Sequence, residues 1–265
     1  MTSWLDTCRS CVADIGEVLE SLPTRAEREP VLRLGEGGDD TTAIDQAAED
    51  AVVERLVALG EDFVLVSEEL GMRTFGAGGL RRVVVDPIDG SVNAKRGIPF
   101  FSFSLAVAEG PAMGDVVFGY VYDFGSGEEW TAERGRGAFL GGEPLGAVRP
   151  KETIEILSFE GTTAPAIAAR IGDVLELVGR VRVMGSLALS LCHLAAGRVD
   201  AVCSLKPARS VDIAAAQLLV RECDLAIELF DDPPFAAAPL DLATRSRVAA
   251  AGSPELVSAL ANALR

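Results

Sequence analysis

The hexapeptide Asp86–Ser91, which directly follows the apolar run Val83–Val85, restricts the fold of this chain more than any other segment. Three consecutive valines predict a buried strand, so two carboxylates and a hydroxyl are expected where that strand ends. Carboxylates bind hard cations such as Mg²⁺, and the glycine lets backbone N–H groups approach an anion closely. The segment therefore favours a site for a metal ion and a phosphate.

The hexapeptide allows two other interpretations. A calcium-binding EF-hand loop requires an oxygen ligand at its third position, glycine at its sixth and glutamate at its twelfth, where this chain has Ile88, Ser91 and Gly97. That interpretation fails. A plain surface turn made by Asp-Pro and Asp-Gly remains an alternative for the hexapeptide taken alone.

Acidic residues recur at the boundaries of three other predicted elements. Phe63–Val66 reads as a short strand that runs into Ser67, Glu68 and Glu69. The glycine-rich segment 35–42 leads into a predicted helix that contains Asp45, and Asp212 lies near the start of another predicted helix. These acidic positions frame one candidate site.

Taken in order, these motifs resemble the inositol monophosphatase family, part of a Li⁺-sensitive, Mg²⁺-dependent phosphatase superfamily. The family's Asp-Pro-Ile/Leu-Asp-Gly-Thr/Ser motif matches Asp86–Ser91, its Glu-Glu pair matches Glu68-Glu69, and its Trp-Asp-x-Ala-Ala/Gly motif matches Val211–Ala215. The resemblance extends over nearly the whole chain, through Asn93, Gly97–Phe100, Gly135–Ala138 and Gly185–Ala188. The run Asp89–Phe100 is most similar to the archaeal and bacterial branch that hydrolyses both inositol monophosphates and fructose 1,6-bisphosphate.

The resemblance implies a phosphomonoester hydrolase in which a metal-activated water attacks phosphorus directly, without a phosphoenzyme. The implied ligands of two Mg²⁺ ions, for which Mn²⁺ is a possible substitute, are Glu68, Asp86, the carbonyl of Ile88, Asp89 and Asp212. The implied catalytic groups are Asp45, Glu68 and Ser91, where the Ser91 hydroxyl donates to Asp45 and orients the water. The implied phosphate- or substrate-binding groups are Gly90, Ser91, Gly185 and Ser186.

A third, weaker cation is a further expectation for the glycine-rich loop. Asp39 or Asp40 is positioned to reach it, although a solvated polar loop is the competing interpretation and is slightly favoured.

The segment before Asp212 departs from inositol-selective relatives, which typically carry an acidic residue there. This chain instead has Lys206 and Arg209, and Val211 replaces the usual tryptophan. These two cations are predicted to hold the second phosphate of a bisphosphate, and solvated loop charges are the alternative. A phosphatase acting on 3′-phosphoadenosine 5′-phosphate and a catalytically silent metal-binding homologue are the competing functions.

Charge and composition exclude several classes of partner. The net charge of −16, from 24 basic and 40 acidic residues, argues against nucleic acid and against anionic membranes. The N-terminal segment lacks the long apolar stretch of a secretory signal, and the five cysteines read as reduced, mostly buried thiols. We therefore expect a cytoplasmic protein with a small phosphorylated sugar or inositol substrate, and the family resemblance implies a homodimer.

The predicted fold is an α+β and α/β layered arrangement of alternating helix and sheet layers, the sugar-phosphatase fold of the inositol monophosphatase type. Residues 1–148 are expected to form an α+β half with an antiparallel sheet and most metal ligands, and residues 149–265 an α/β half that closes the site, together one catalytic unit. The predicted helices span about 3–22, 43–59, 186–196, 211–223 and a final one from Ser253, and the predicted strands lie near 101–107, 116–122, 129–132, 181–184 and 200–205.

Overall fold

The structure is a computed structural model that describes residues 4–160 and 163–265. The helices in these ranges are α1 Trp4–Ser21, α2 Arg25–Arg28, α3 Ala43–Ala58, α4 Ser91–Arg96, α5 Ala164–Arg170, α6 Leu187–Ala195, α7 Ser210–Glu222 and α8 Pro254–Leu264. The strands are β1 Val31–Leu34, β2 Asp40–Thr42, β3 Phe63–Ser67, β4 Gly71–Phe75, β5 Arg82–Asp89, β6 Ser102–Ala108, β7 Val116–Asp123, β8 Glu129–Glu133, β9 Gly137–Leu140, β10 Glu143–Pro144, β11 Ile154–Glu160, β12 Val178–Arg182, β13 Ala201–Ser204, β14 Ala226–Leu229 and β15 Val248–Ala251.

An eight-stranded sheet in the order β10-β9-β8-β7-β6-β5-β3-β4 carries the site. The expectation of a purely antiparallel sheet is wrong at one pair, because β3 and β5 run parallel. The hairpin partner β4 takes the outer edge beside β3, so the chain returns on the inner side of β3 as β5. This pairing places the ends of β3 and β5 at the same edge of the sheet.

A five-stranded sheet in the order β12-β11-β13-β15-β14 forms the second sheet layer. Strand β11 pairs parallel with both neighbours, whereas β15 pairs antiparallel with β13 and β14.

The division of the chain at residues 148 and 149 remains a prediction. Helix α7 belongs to the second segment in sequence but packs against the strands β5 to β9 of the larger sheet.

Three apolar clusters bind the layers together. Val83 and Val85 on one face of the larger sheet pack with α1 and α3. Val84 on the opposite face packs with α6 and α7, which also cover the inner face of the smaller sheet. The outer face of the smaller sheet, with Leu157, packs against α8. The layer order is therefore helix, sheet, helix, sheet, helix, which confirms the predicted layered fold.

Several predicted elements agree with the structure to within a residue or two, and one strand is displaced. The start of the first predicted helix, residue 3, lies outside the described residues. The strand predicted at 181–184 is observed at Val178–Arg182, because the following residues are needed for the turn that precedes α6. Ser253 caps α8 as expected, since its hydroxyl accepts from Leu256 N.

The sequence pattern predicts an apolar stripe of Ile44, Ala47, Ala51, Val52 and Leu56 on α3, and the buried face of the helix differs from it. Ala47 and Ala51 are half-buried, whereas Asp45, Ala48 and Glu49 lie inside with Ile44, Val52 and Leu56. All five cysteines are buried and free, which confirms the expectation for the thiols. Within the described part of the chain, no helix is both long and apolar enough to cross a membrane.

Candidate metal and phosphate site

Strand alternation brings two acids to the same side of the larger sheet. Val66 on β3 and Val84 on β5 both face the α6 and α7 layer. Side chains two residues apart point to the same face of a strand, so Glu68 and Asp86 face α7 as well. This is the reason why the ends of two neighbouring parallel strands supply two carboxylates to one place.

Helix α7 contributes the third carboxylate. Asp212 lies in the first turn of the helix, where its Oδ2 accepts a hydrogen bond of 2.6 Å from Arg209 N. An acidic side chain is favoured in this position by the helix dipole and by the unpaired N–H groups of the first turn. Glu68, Asp86 and Asp212 then offer ligand oxygens that lie within 4.8 Å of one another, close enough to hold a metal ion together.

A β-bulge in β5 sets the direction of the side chains in the second half of the hexapeptide. Asp86 pairs with Ser104 and Asp89 with Ser102, so the segment between the two acids holds one residue more than the opposite strand. Asp89 consequently faces α6, where its Oδ2 accepts from Ser186 Oγ and from Ala188 N at 2.9 Å. The structure thus places Asp89 beside the acidic trio but turns one of its oxygens to the start of α6.

Burial and crowding shift the pKa values of Glu68, Asp86 and Asp89 upward. Burial raises the pKa of Glu68 from 4.5 to about 8, although the Arg209 guanidinium opposes the rise. Burial, with the charges of Glu68 and Asp89, raises the pKa of Asp86 well above its usual range. Burial also raises the pKa of Asp89 to about 7 against the opposing hydrogen bond from Ser186. Acids held this close together favour the protonated form unless a cation compensates them.

The predicted catalytic groups surround one small pocket, which is lined by Asp45, Glu68, Glu69, Asp86, Pro87, Ile88 and Ser91. The expected hydrogen bond between Ser91 and Asp45 is absent between these described residues. The Ser91 hydroxyl donates to Ile88 O at 2.9 Å, which is the nearest acceptor in its own turn. Asp45 Oδ2 instead accepts from Thr42 N and Thr42 Oγ1 at the start of α3.

A larger cavity of about 500 Å³ opens beside the acids. It is lined by Asp89, Val92, Asn93, Thr163, Val183, Met184, Gly185, Leu187, Ser204, Lys206, Pro207, Ala208, Arg209 and Asp212. Gly185 and Lys206 therefore lie where a substrate would be expected. Ser186 does not line this cavity, because it is buried and its hydroxyl caps α6 and binds Asp89.

The backbone at Gly90 requires glycine. Its φ is +95°, in the left-handed region, and a Cβ there would lie 3.1 Å from Gly185 O and 3.2 Å from Phe100 O. The hexapeptide thus packs tightly against the turn that precedes α6.

Lys206 and Arg209, the two basic residues predicted to bind the substrate, have different surroundings. Lys206 is half-exposed and its Nζ lies 3.1 Å from Asp39 Oδ2. Arg209 is only 8% exposed and its guanidinium donates to Glu68 Oε1 at 2.6 Å and to Asp212 Oδ1 at 2.9 Å. The alternative of solvated loop charges is therefore wrong for Arg209, because three carboxylates surround it once Asp39 is included.

The glycine-rich loop is docked and not simply solvated. Gly37 N donates to Glu68 O at 2.8 Å, and the Arg245 guanidinium donates to Gly37 O. The ion pairs of Asp39 with Lys206 and Arg209 add to this docking. These cations hold the pKa of the partly buried Asp39 below its usual range.

Two acids that the sequence analysis did not single out hold neighbouring segments. Glu160 is fully buried and accepts from Ser158, Ser190, Met184 N and Gly185 N. Glu49 is buried on α3 and accepts from Ser67 Oγ and from Leu70 N at 3.0 Å. The signal available in the sequence was the spacing of Glu49 four residues after Asp45, which puts both side chains on one face of α3.

Comparison with known proteins agrees with this geometry. The model of the inositol monophosphatase family matches residues 4–265. A fructose-1,6-bisphosphatase/inositol-1-monophosphatase of Thermococcus kodakarensis is 40% identical over 186 residues, which are 70% of this chain and 68% of that protein. The protein of the same name from Methanothermobacter thermautotrophicus is 34% identical over 202 residues, 72% of each chain. A solved inositol monophosphatase–fructose 1,6-bisphosphatase has a TM-score of 0.85 at 27% identity and covers 99% of this chain and 100% of its own. The chain therefore belongs to the inositol monophosphatase family.

Proposed function

We propose that this chain is a metal-dependent phosphomonoester hydrolase that acts on inositol monophosphate and on fructose 1,6-bisphosphate. The observation that carries the proposal is the convergence of Glu68, Asp86 and Asp212 within 4.8 Å, where Asp212 lines the 500 Å³ cavity and the other two line the small pocket. An enclosed acidic group of this kind suits a cation that bridges the protein and an anionic substrate.

The donor set fits Mg²⁺ or Mn²⁺. The ligands would be oxygens of Glu68, Asp86, Ile88, Asp89 and Asp212. Hard divalent cations prefer carboxylate and carbonyl oxygen, and the upward pKa shifts at Glu68 and Asp86 reflect a charge that a cation would compensate. When bound, the ions would neutralise phosphate charge and lower the pKa of a coordinated water.

Asp45 and Ser91 would hold the attacking water. Asp45 Oδ1 is buried and, among the residues that the structure describes, has no hydrogen-bond partner. An acceptor of this kind is costly to leave unmatched, so a water that lies in the small pocket beside it would gain a partner. The Ser91 hydroxyl would turn from Ile88 O towards this water and orient its lone pair, while Glu68 would accept its proton.

The substrate would be held from the other side of the cavity. The N–H groups of Gly90 and Ser91 begin α4 and would face the phosphate oxygens, since the first N–H groups of a helix have no acceptor within it. Gly185 would supply backbone to the sugar or inositol ring. Lys206, half-exposed at the rim, would pair with a second phosphate and favours the bisphosphate as one substrate.

Finer expectations belong to the same proposal. We expect Mg²⁺ to be the resident ion, Li⁺ to inhibit, two copies of the chain to pair as a homodimer, and the protein to act in the cytoplasm. A third ion at Asp39 or Asp40 would have to displace Lys206 and Arg209 from Asp39, so we expect it to bind more weakly than the others.

The decisive experiment is phosphate release from myo-inositol 1-phosphate and fructose 1,6-bisphosphate, measured with metal-stripped protein in chelator and after Mg²⁺ or Mn²⁺ is restored. We expect release from both substrates only in the presence of the metal. Full turnover in chelator, or a trapped phosphoenzyme, would refute the proposed mechanism. Release from neither substrate with metal present would refute the substrate assignment.

A further inference from the structure

Arg209 binds two of the carboxylates that the proposed function assigns to a metal ion. Its Nη1 donates to Glu68 Oε1 at 2.6 Å, and its Nη2 donates to Asp212 Oδ1 at 2.9 Å. Its Nε also lies 3.2 and 3.3 Å from the two oxygens of Asp212. A single guanidinium thus spans two of the three carboxylates that converge here.

A divalent cation that takes the lone pairs now bound by this guanidinium cannot lie beside it. A metal such as Mg²⁺ binds carboxylate oxygen at about 2.0–2.1 Å, a position that brings it against the N–H groups now bound to Glu68 and Asp212. The guanidinium cannot make room for the metal by losing its proton, because it stays charged at every accessible pH. The nearby carboxylates also raise the pKa of Arg209 further above its ordinary value. It therefore has to move.

The surroundings of Arg209 leave room on one side. On the other side is Gly37, where even a single added Cβ would lie 2.8 Å from Arg209 Nη1. The 500 Å³ cavity is the open side, and Arg209 already contributes to its wall with Lys206. The backbone N–H of Arg209 binds Asp212 Oδ2 independently of the side chain, so Asp212 stays capped when the guanidinium leaves.

We propose that Arg209 is a built-in counterion that binds Glu68 and Asp212 in the metal-free protein and is displaced into the substrate cavity when the metal binds. This inference rests on the proposed metal site. Metal affinity is then set by an exchange of one cation for another, and the protein avoids an uncompensated acidic cluster before the metal arrives.

Calorimetric titration of metal-stripped protein with Mn²⁺ tests the exchange. Arg209→Gln removes the competing charge and should bind Mn²⁺ about tenfold or more tightly than wild type, since a charge-assisted contact of this kind is worth at least that factor. Arg209→Lys keeps the charge but loses the guanidinium contact that bridges Glu68 and Asp212, so it should also bind Mn²⁺ several-fold more tightly. Lys206→Gln is the matched control for the tighter Mn²⁺ sites, because it removes one positive charge from the same cavity without touching Glu68 or Asp212 and frees only Asp39, the proposed weaker site.

The outcomes separate this inference from the proposed function. Tighter Mn²⁺ binding by both Arg209 variants, with Lys206→Gln changed by less than about threefold, supports the exchange. An Mn²⁺ affinity of Arg209→Lys equal to that of wild type would mean that only the general charge matters, and it would overturn the inference. An unchanged or weaker Mn²⁺ affinity of folded Arg209→Gln would overturn it too. If Arg209→Gln does not fold, Arg209→Lys decides alone. Absence of Mn²⁺ binding in wild type and every variant would instead refute the proposed metal site itself.

Discussion

Replacement of Glu160 by alanine should destabilise the fold by about 3–5 kcal/mol, an estimate worked from the hydrogen bonds that the variant loses. The carboxylate is fully buried and accepts from Ser158 Oγ at 2.8 Å, Ser190 Oγ at 2.9 Å, Met184 N at 3.1 Å and Gly185 N at 2.8 Å. A buried donor left without an acceptor costs about 1–3 kcal/mol, so four of them set a ceiling of about 4–12 kcal/mol.

Two effects lower this upper limit on the loss of unfolding free energy. Ser158 Oγ and Ser190 Oγ lie 3.1 Å apart and can bind each other when the carboxylate is gone. The N–H groups of Met184 and Gly185 belong to a turn that lines the open cavity, where water reaches them. Even the reduced loss is a large part of the stability of a typical domain, which is about 5–15 kcal/mol.

Urea denaturation of metal-stripped wild type and variant measures the difference in the free energy of unfolding. Ser158→Ala is the matched control, because it removes a single donor to the same carboxylate and should cost only about 1 kcal/mol. An unfolding free energy for Glu160→Ala within about 1 kcal/mol of wild type would show that the carboxylate does not hold this turn.

Three further outcomes are expected. Asp212→Asn should fold normally yet lose activity by roughly 10²-fold or more at limiting Mg²⁺, because a ligand is lost; wild-type kinetics under that condition would contradict its role. Lys206→Ala should lower kcat/KM for fructose 1,6-bisphosphate about tenfold relative to myo-inositol 1-phosphate, chiefly through KM, whereas equal losses on both substrates would exclude a contact with the second phosphate. Burial raises the pKa of Glu68 from 4.5 to about 8 and that of Asp89 from 3.8 to about 7. Since the native metal-free protein then binds more protons than the unfolded chain, its Tm should fall between about pH 5 and pH 8, and a flat profile in chelator would contradict these shifts.

The sequence was most informative where local pattern and strand alternation act together. Val83–Val85 predicts a buried strand, and the acids that follow two strand ends predict a common site. The structure groups Glu68, Asp86 and Asp212, and the family and layered fold are confirmed. The roles of these residues in metal binding remain predictions.

The partners of the buried polar groups could not be predicted, because they come from distant parts of the chain. Arg209 reaches Glu68 across 141 positions, and only the packing of α7 on the larger sheet brings them together. Glu160 ends a strand whose composition gives no sign of the turn it binds. The displacement of strand β12 from its predicted position has the same cause. Tertiary pairing with β11 decides where β12 begins and ends, and the residues of β12 are largely exposed.

The bulge in β5 makes the distance in sequence between two acids critical. Asp86 and Asp89 are three positions apart, which in a regular strand would put them on opposite faces, and the extra residue lets both face the layer of α6 and α7. If the same residues formed a regular strand, Asp89 would turn towards α3, leaving Ser186 Oγ and Ala188 N without their acceptor. An odd separation of the two acids therefore requires the bulge, whereas a deletion of Pro87 or Ile88 would give an even separation that a regular strand satisfies, so chain length and strand geometry are tied together at this point.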